Sequence, residues 1–480
     1  MEGQNMVSWS DYEGIDGFGS TSGQQLGDLT KALNVGQEIN APGAVVAGDG
    51  FALRVESLER TLRSTTYRMD HIRLWKQVSK LAAFNTVEEH GMLDSFGENP
   101  DGAWMDEGDL PEEESSTVRR EYSVVKYIGT TRSVSHVSTM IKPAYGSVLS
   151  QETVNGTMHL LRVIERALFY ARSDLSALQF DGFEKLLEDN LPATHKIDLR
   201  GAPLSEDVLI DAGLTVSDAP TYGRMTDLYC TPKVHADLVK TFFPKERYDL
   251  FTKRSDGMIG LDISGFTSPS GPVRFQPDVF ITDGGAPNAA ALGDAAKIPS
   301  APTVSSAPTT PVEATAQFTA DDAGDYFYFV VAANRYGKAA AIDLVAGPTA
   351  VTVAAGDKVT FGLTPGAVQP DWWEIYRTAK DGAAGSERLI LRIPHTAGAG
   401  EETIDDLNAV LPYTSSAFGF QMNTEAMSVK QLAPMLKIPL ATIDTSIRWA
   451  QVCYLVPVIY SNKHILFQNV GRAPGFVGAP

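Results

Sequence analysis

The chain has 480 residues, a formal net charge of −19 and an apolar content of 43%. This length exceeds what one compact domain usually holds, so two or three lobes with cores of their own are expected. The acidic balance and the lack of a Lys/Arg cluster argue against a protein that grips nucleic-acid phosphates, so contact with DNA is expected to be weak and non-specific.

The N-terminal part predicts an arm followed by a short helix. Residues 1–48 are rich in Gly, Ser, Asp and Asn, and a segment of this kind becomes ordered only against a neighbour. Residues 51–64 combine helical apolar spacing with Glu–Arg pairs four residues apart, which favours an amphipathic helix. The chain shows neither a signal peptide nor an apolar run of about 18–20 residues, so we expect a soluble protein without a membrane span.

A projecting hairpin is predicted next. Strand-like segments at 84–89 and 120–128 flank residues 94–114, which are rich in acids, Gly and Pro and have no periodicity. A compact domain rarely carries so long a loop without a use for it. The twelve acids of residues 88–121 are opposed by only two arginines, so the loop should repel itself and stay extended.

Residues 150–175 predict a long helix that lies on a sheet. Ser150 is the expected N-cap, and apolar residues follow at spacings of three and four for about six turns. The other face is predicted to carry Arg162, Glu165, Arg166 and Arg172, although Glu165 is also an alternative to Ile164 at its position in the apolar spacing.

Residues 176–298, which follow the helix, are predicted to form an α+β lobe. Thr231 and Pro232 suit the N-cap and first position of a helix through Phe243. Cys230 and Cys453 both lie in apolar strand-like runs, which favours two buried thiols, with a disulfide between them as the alternative.

The composition changes at the Pro/Ser/Thr/Ala-rich residues 298–311, which predict a linker. Short alternating strands then recur every 8–15 residues, a pattern typical of a β-sandwich of about 100 residues. After residue 412, an apolar strand at 447–460, a turn and a second strand at 464–470 are expected.

No motif in the chain points to catalysis. The eight histidines lack metal-ligand spacing, and no phosphate-binding loop or nucleophile elbow is present. The acids of the loop offer no concave site that could split the pKa values of a carboxylate pair. Asp321, Asp322 and Asp325 do not have the spacing of a calcium loop. We therefore predict no catalytic residue, no cofactor and no metal.

The order of these parts resembles the Hong Kong 97-type fold of tailed-phage major capsid proteins, with similarity to those of large myoviruses. The resemblance lies in LERTLRSTTYRMDHIRLWKQVSKLAAFNTVEEH (58–90), the acidic loop, the helix at 151–173 and LYCTPKVHADL (228–238). It implies an N-terminal arm and short helix at 1–65, an E-loop hairpin and P-domain with a spine helix at 66–175, an A-domain at 176–298, an immunoglobulin- or fibronectin-like β-sandwich insertion at 299–411, and returning strands at 412–480.

The resemblance implies a protein that assembles with copies of itself, as hexamers and pentamers, into the icosahedral head around a double-stranded DNA genome. Portal and decoration proteins are the further partners it implies, and the virion is the expected location. Some members crosslink through a Lys of the E-loop, but residues 81–125 contain no Lys. A non-covalent shell is therefore expected, in which Glu112, Glu113 and Glu114 dock on basic residues of a neighbour, with Arg162, Arg166 and Arg172 as candidate partners.

Two other classes stay open from the sequence. An encapsulin-like nanocompartment subunit would share the fold, although the chain length and the inserted sandwich argue against it. A tail or surface adhesin with a fibronectin-like module would explain the sandwich, although the missing signal sequence argues against export. An enzyme is the least favoured class.

Overall fold

The computed structural model describes residues 71–141, 147–246, 263–441 and 445–473, apart from residues 96, 98, 220, 346 and 348. The predicted arm and the predicted helix at 51–64 lie outside this part of the chain. The helices described are α1 Leu74–Gln77, α2 His136–Met140, α3 Val148–Tyr170, α4 Phe183–Asn190, α5 Glu206–Ser217 and α6 Pro232–Glu246. Together with many strands they confirm the predicted α+β class.

The strands are spread over the whole described part of the chain, and those between residues 303 and 406 have an apolar core of their own. In chain order they are β1 Lys80–Ala82, β2 Val87–Ser95, β3 Thr117–Val124, β4 Lys126–Ser135, β5 Lys196–Asp198, β6 Asp227–Cys230, β7 Gly265–Ser268, β8 Gly271–Pro277, β9 Leu292–Gly293, β10 Thr303–Thr309, β11 Gly324–Tyr326, β12 Tyr328–Asn334, β13 Gly337–Lys338, β14 Ile342–Asp343, β15 Val351–Val353, β16 Val359–Thr364, β17 Trp372–Arg377, β18 Arg388–Pro394, β19 Glu402–Asp406, β20 Ser415–Phe420, β21 Met427–Pro439, β22 Ser446–Ile459 and β23 Ile465–Val470.

The spine helix α3 packs on a four-stranded sheet of order β1-β21-β22-β4. Leu160, Ile164 and Leu168 of the helix are buried in one cluster with residues of β21 and β22. Ser150 is not the N-cap, because the helix begins at Val148 and Ser150 lies inside its first turn. The helix also ends at Tyr170, earlier than the apolar spacing predicts.

A second lobe is built on a six-stranded sheet of order β5-β23-β20-β6-β8-β7. Helices α5 and α6 cover it, and their apolar residues share a core with strands β6, β8 and β23. The predicted N-cap of α6 is confirmed, because the Val234 amide donates to Thr231 Oγ1 at 3.2 Å. Cys230 and Cys453 are free, buried thiols, so the disulfide alternative is wrong.

Strands that follow residue 412 pair with strands that precede residue 299. Phe418 of β20 lies opposite Tyr229 of β6, and Cys453 of β22 lies opposite Ile128 of β4. The chain therefore returns to sheets that it began much earlier. The predicted strands near 447–460 and 464–470 are confirmed as β22 and β23.

Between these pairings, residues 303–406, which we call the sandwich segment, form a sheet of order β10-β16-β19 and, together with β9, a sheet of order β18-β17-β12-β13-β9, with a separate apolar cluster. The strands predicted around 326–393 are present. The linker interpretation of 298–311 is wrong, since Thr303–Thr309 forms β10. β10 pairs only with β16 among the described strands, and such an edge position tolerates Pro308 in a strand.

The prediction also missed β21, because the register of its pairing with β22 shifts twice around Leu432–Leu436 and this breaks the alternation. β9, which precedes residue 299, joins the sheet of the sandwich through β13. The insertion limits of 299–411 and its immunoglobulin-like or fibronectin-like nature stay predictions.

Candidate inter-subunit contact surfaces

The predicted hairpin is confirmed as a two-stranded ribbon, which we call the acidic hairpin. β2 and β3 pair antiparallel from Val87 opposite Val124 to Ser95 opposite Thr117. One face of the ribbon carries the ion pair of Glu89 with Arg120 and five exposed apolar side chains: Val87, Leu93, Val118, Tyr122 and Val124. Val118 is 67% and Tyr122 75% exposed. A two-stranded ribbon is at best marginally stable alone, and an apolar stripe of this kind marks an interaction surface.

The tip of the acidic hairpin, residues 99–114, is organised by two of the three glutamates predicted to dock. Glu114 Oε1 accepts the Asn99 amide at 2.9 Å, and Glu112 Oε2 accepts the Asn99 side-chain amide at 3.1 Å. Glu113 lies between them and is exposed. The tip also presents large apolar side chains, with Trp104 84% and Leu110 85% exposed.

The two arginines of the hairpin pair within it. Arg119 Nη1 lies 3.3 Å from Glu121 Oε1, and Arg120 contacts Glu89. Both pairs sit on the ribbon rather than at the tip. The carboxylates of the tip therefore keep their excess of negative charge.

The three arginines predicted as docking partners do not lie together. Arg162 and Arg166 are both exposed on the spine helix. Arg172 lies beyond the end of the helix, where its Nη2 is 2.6 Å from Glu188 Oε2 and its Nε is 3.7 Å from Asp174 Oδ2. Arg172 thus has carboxylate partners within its own chain.

Arg162 and Arg166 line a cavity of about 810 Å³, which we call the basic hollow. It lies between the spine helix, β4, the turn after β12 and the strands β13, β17 and β18. Its cationic side chains are Lys126, Arg162, Arg166, Arg335, Lys338 and Arg392. The last three come from the sandwich segment. No local pattern singles them out, because only tertiary packing brings them to the hollow.

The prediction of Glu165 on the face opposite the apolar spacing is wrong, and its alternative position next to Ile164 on the buried side is the one observed. Its side chain is fully buried, and its carboxylate accepts the backbone amides of Arg73 at 2.8 Å, Leu74 at 2.7 Å and Trp75 at 2.9 Å. These are the first amides of α1, which have no partner inside that helix. Glu165 therefore ties α1 to the spine helix.

The two core histidines, His195 and His464, have hydrogen-bond partners within the chain. His195 Nδ1 lies 3.1 Å from the His464 carbonyl, and the Gln421 amide donates to His464 Nδ1 at 3.3 Å. Burial lowers the pKa of His464 to about 4. Within the described residues, no group of three or more His, Cys, Asp or Glu is placed to hold a metal ion. No helix in this part of the chain is long and apolar enough to cross a membrane.

No protein-family model matches the chain. It is 25% identical over 445 residues to the major capsid protein of Staphylococcus phage S25-3, covering 89% of this chain and 91% of that protein. The major capsid protein of Staphylococcus phage K is likewise 25% identical over 445 residues, with the same coverage.

Two solved structures are also similar. The capsid of a native GTA particle has a TM-score of 0.47 at 8% identity and covers 90% of this chain and 100% of its own. The capsid of Myoviridae phage XM1 has a TM-score of 0.40 at 8% identity and covers 89% of this chain and 99% of its own. The sequence relatives extend over most of both chains and share one name. The chain is therefore a relative of the major capsid proteins of tailed phages, the family that its sequence resembles.

Proposed function

We propose that this chain assembles, as hexamers and pentamers of itself, into the icosahedral head shell of a tailed phage around a double-stranded DNA genome. The observation that carries the proposal is the acidic hairpin, a ribbon with an exposed apolar face and an exposed apolar tip. In water such a surface is stable only when a neighbour covers it. Because the relatives are major capsid proteins, that neighbour is another copy of the chain.

The role is structural rather than catalytic. A shell subunit needs flat, extended contacts that repeat from copy to copy, and it needs no pocket for chemistry. We infer assembly in the host cytoplasm, a non-covalent shell, and portal and decoration proteins as further partners. With a net charge of −19, contact with the packaged DNA is weak and non-specific.

Removing the apolar face of the hairpin tests this role. In the double variant Val118→Ser and Tyr122→Ser, we expect assembly to require a higher protein concentration than in the parent. Burying each such side chain contributes about 1.5–3 kcal/mol, and this contribution is lost at every hairpin contact of the shell. Sedimentation velocity measures the fraction of protein in particles at each concentration.

A matched control carries the same two changes on other exposed surfaces, Val312→Ser and Tyr222→Ser. Val312 is 82% and Tyr222 75% exposed, so the composition and the surface change are comparable. The control is expected to assemble like the parent. Identical assembly of the hairpin variant and the parent would contradict the proposed contact.

A further inference from the structure

The basic hollow concentrates positive charge in a chain whose net charge is −19. Six cationic side chains line it, and Glu374 is the one carboxylate among the described residues that do so. The cations come from the spine helix and β4 on one side and from the sandwich segment on the other. Because like charges held this close together repel one another, an anion placed among them stabilises the arrangement.

Glu374 is already engaged by its own neighbours. Its carboxylate lies 2.5 Å from Lys338 Nζ and 3.7 Å from Arg392 Nε, and it accepts the Tyr376 hydroxyl at 2.8 Å. Lys338 and Arg392 therefore share one carboxylate. Within the described residues, Arg392 Nε is buried and makes no hydrogen bond, so the hollow contains an N–H donor that lacks an acceptor.

Arg166 and Arg335 line the hollow without a carboxylate of their own. Within the described residues neither makes an ion pair, and the Arg335 guanidinium instead lies over the Tyr336 ring, 4.5 Å from its centroid. Arg166 reaches solvent, but the surrounding protein removes part of its hydration. This partial burial, followed by repulsion from Arg392, lowers the pKa of Arg166. The charges of both arginines are therefore open to a ligand.

The size and the walls of the hollow suit a small molecule. Its volume of about 810 Å³ falls in the range of about 300–1,000 Å³ that is usual for such sites. Trp372 and the half-exposed Val163 give it an apolar wall beside the cations. The planar fork of arginine matches the oxygens of a phosphate group, and a chain of linked phosphates carries several charges in a small volume.

We propose that the basic hollow binds a small molecule with several linked phosphate groups, which lie between Arg166 of the spine helix and Arg335, Lys338 and Arg392 of the sandwich segment. Such a ligand joins the two parts through ion pairs that the described residues do not make by themselves. Since it binds the folded chain alone, it also stabilises the fold. All the residues of the site belong to one chain, so this inference does not depend on shell formation.

Isothermal titration calorimetry of the full-length chain with sodium tripolyphosphate tests the site. We expect one binding site per chain, with an affinity that falls as added salt screens the charges. The double variant Arg166→Gln and Arg335→Gln removes two exposed cations of the hollow and should bind about tenfold more weakly or worse. Because both residues are exposed, this variant should melt like the parent when no ligand is present.

A matched control removes the same charge at two exposed positions outside the lining of the hollow, Arg224→Gln and Lys380→Gln. It should bind tripolyphosphate like the parent. Sulfate at the same ionic strength should bind far more weakly, because a single small anion cannot reach the cations on both sides. The proposal is overturned if the parent does not bind tripolyphosphate, if the two double variants bind equally, or if sulfate binds as tightly.

ATP, added without divalent cations, distinguishes two sources of the phosphate chain. Tighter binding of ATP than of tripolyphosphate identifies a nucleotide whose base lies against Trp372, and Trp372→Leu should then remove the difference. Equal or weaker binding of ATP identifies an inorganic polyphosphate. These titrations leave the shell-forming function untouched, because particle formation tests that function separately.

Discussion

Replacing Arg377 by Ala is expected to lower the free energy of unfolding of the sandwich segment by about 3–5 kcal/mol. The guanidinium is fully buried, with Nη1 2.5 Å from Asp406 Oδ2 and Nη2 2.5 Å from Asn408 Oδ1. The Tyr328 hydroxyl donates to the same Asp406 oxygen at 2.9 Å. Without Arg377, the buried Asp406 carboxylate loses its only cation among the described residues, and the desolvation cost of that charge is no longer offset.

The ion pair made by Asp405, the residue before Asp406, provides the control for the Arg377 variant. Asp405 pairs with Lys358 at 2.9 Å, but both side chains are partly exposed. Lys358→Ala is therefore expected to destabilise the protein far less than Arg377→Ala, because an exposed ion pair contributes little to stability. Native-state hydrogen exchange of the β16 and β17 amides in the full chain measures both variants. Equal losses for the two variants would show that burial does not decide the strength of these pairs.

The second large effect is expected at Glu165. Changing Glu165 to Ala removes a carboxylate that accepts three backbone amides, one buried and two partly buried, and leaves these donors without that partner. Hydrogen bonds to charged groups contribute about 1.5–3 kcal/mol each, and the three share one carboxylate, so we expect a total loss of about 3–5 kcal/mol. Hydrogen exchange at α1 and along the spine helix should rise together. A loss confined to α1 would contradict the role of Glu165 as a tie between the two helices.

A second carboxyl group gives this site a pH dependence. Burial, and then the nearby Glu165 carboxylate, raise the pKa of Asp278 from 3.8 to about 8. Between these two values the unfolded chain releases a proton that the folded chain keeps. The contribution of Asp278 to stability is therefore complete below about pH 4, falls as the pH rises to about 8 and is constant above it.

Asp278→Asn removes this titration. Relative to the parent, its melting temperature should rise steadily from pH 5 to pH 8, because only the parent loses stability over that range. The same change at the exposed Asp343 should give a curve parallel to that of the parent. A parallel curve for Asp278→Asn would mean that Asp278 is already ionised in the folded protein at these pH values.

Local patterns predicted the elements better than the contacts between them. The apolar spacing of the spine helix and the alternation in β12, β16 and β17 are local, so they predict those elements within a few residues. Glu165 was misassigned because helical spacing treats a charged residue as exposed, whereas its burial is decided by α1, some 90 residues away in the chain.

The basic hollow could not be predicted for the same reason. Its cations come from β4, the spine helix, β13, β18 and the turn after β12, and nothing in the spacing of these segments indicates that they meet. The acidic hairpin was predictable, because its charge excess and its flanking strands are contiguous in the sequence.

Cryo-electron microscopy of particles formed by the full-length chain alone is the most direct test of its role. We expect closed shells with fivefold and sixfold clusters of subunits, in which the acidic hairpin of each subunit lies on its neighbour. Filaments, or a protein that stays monomeric at all concentrations, would contradict the shell-forming function.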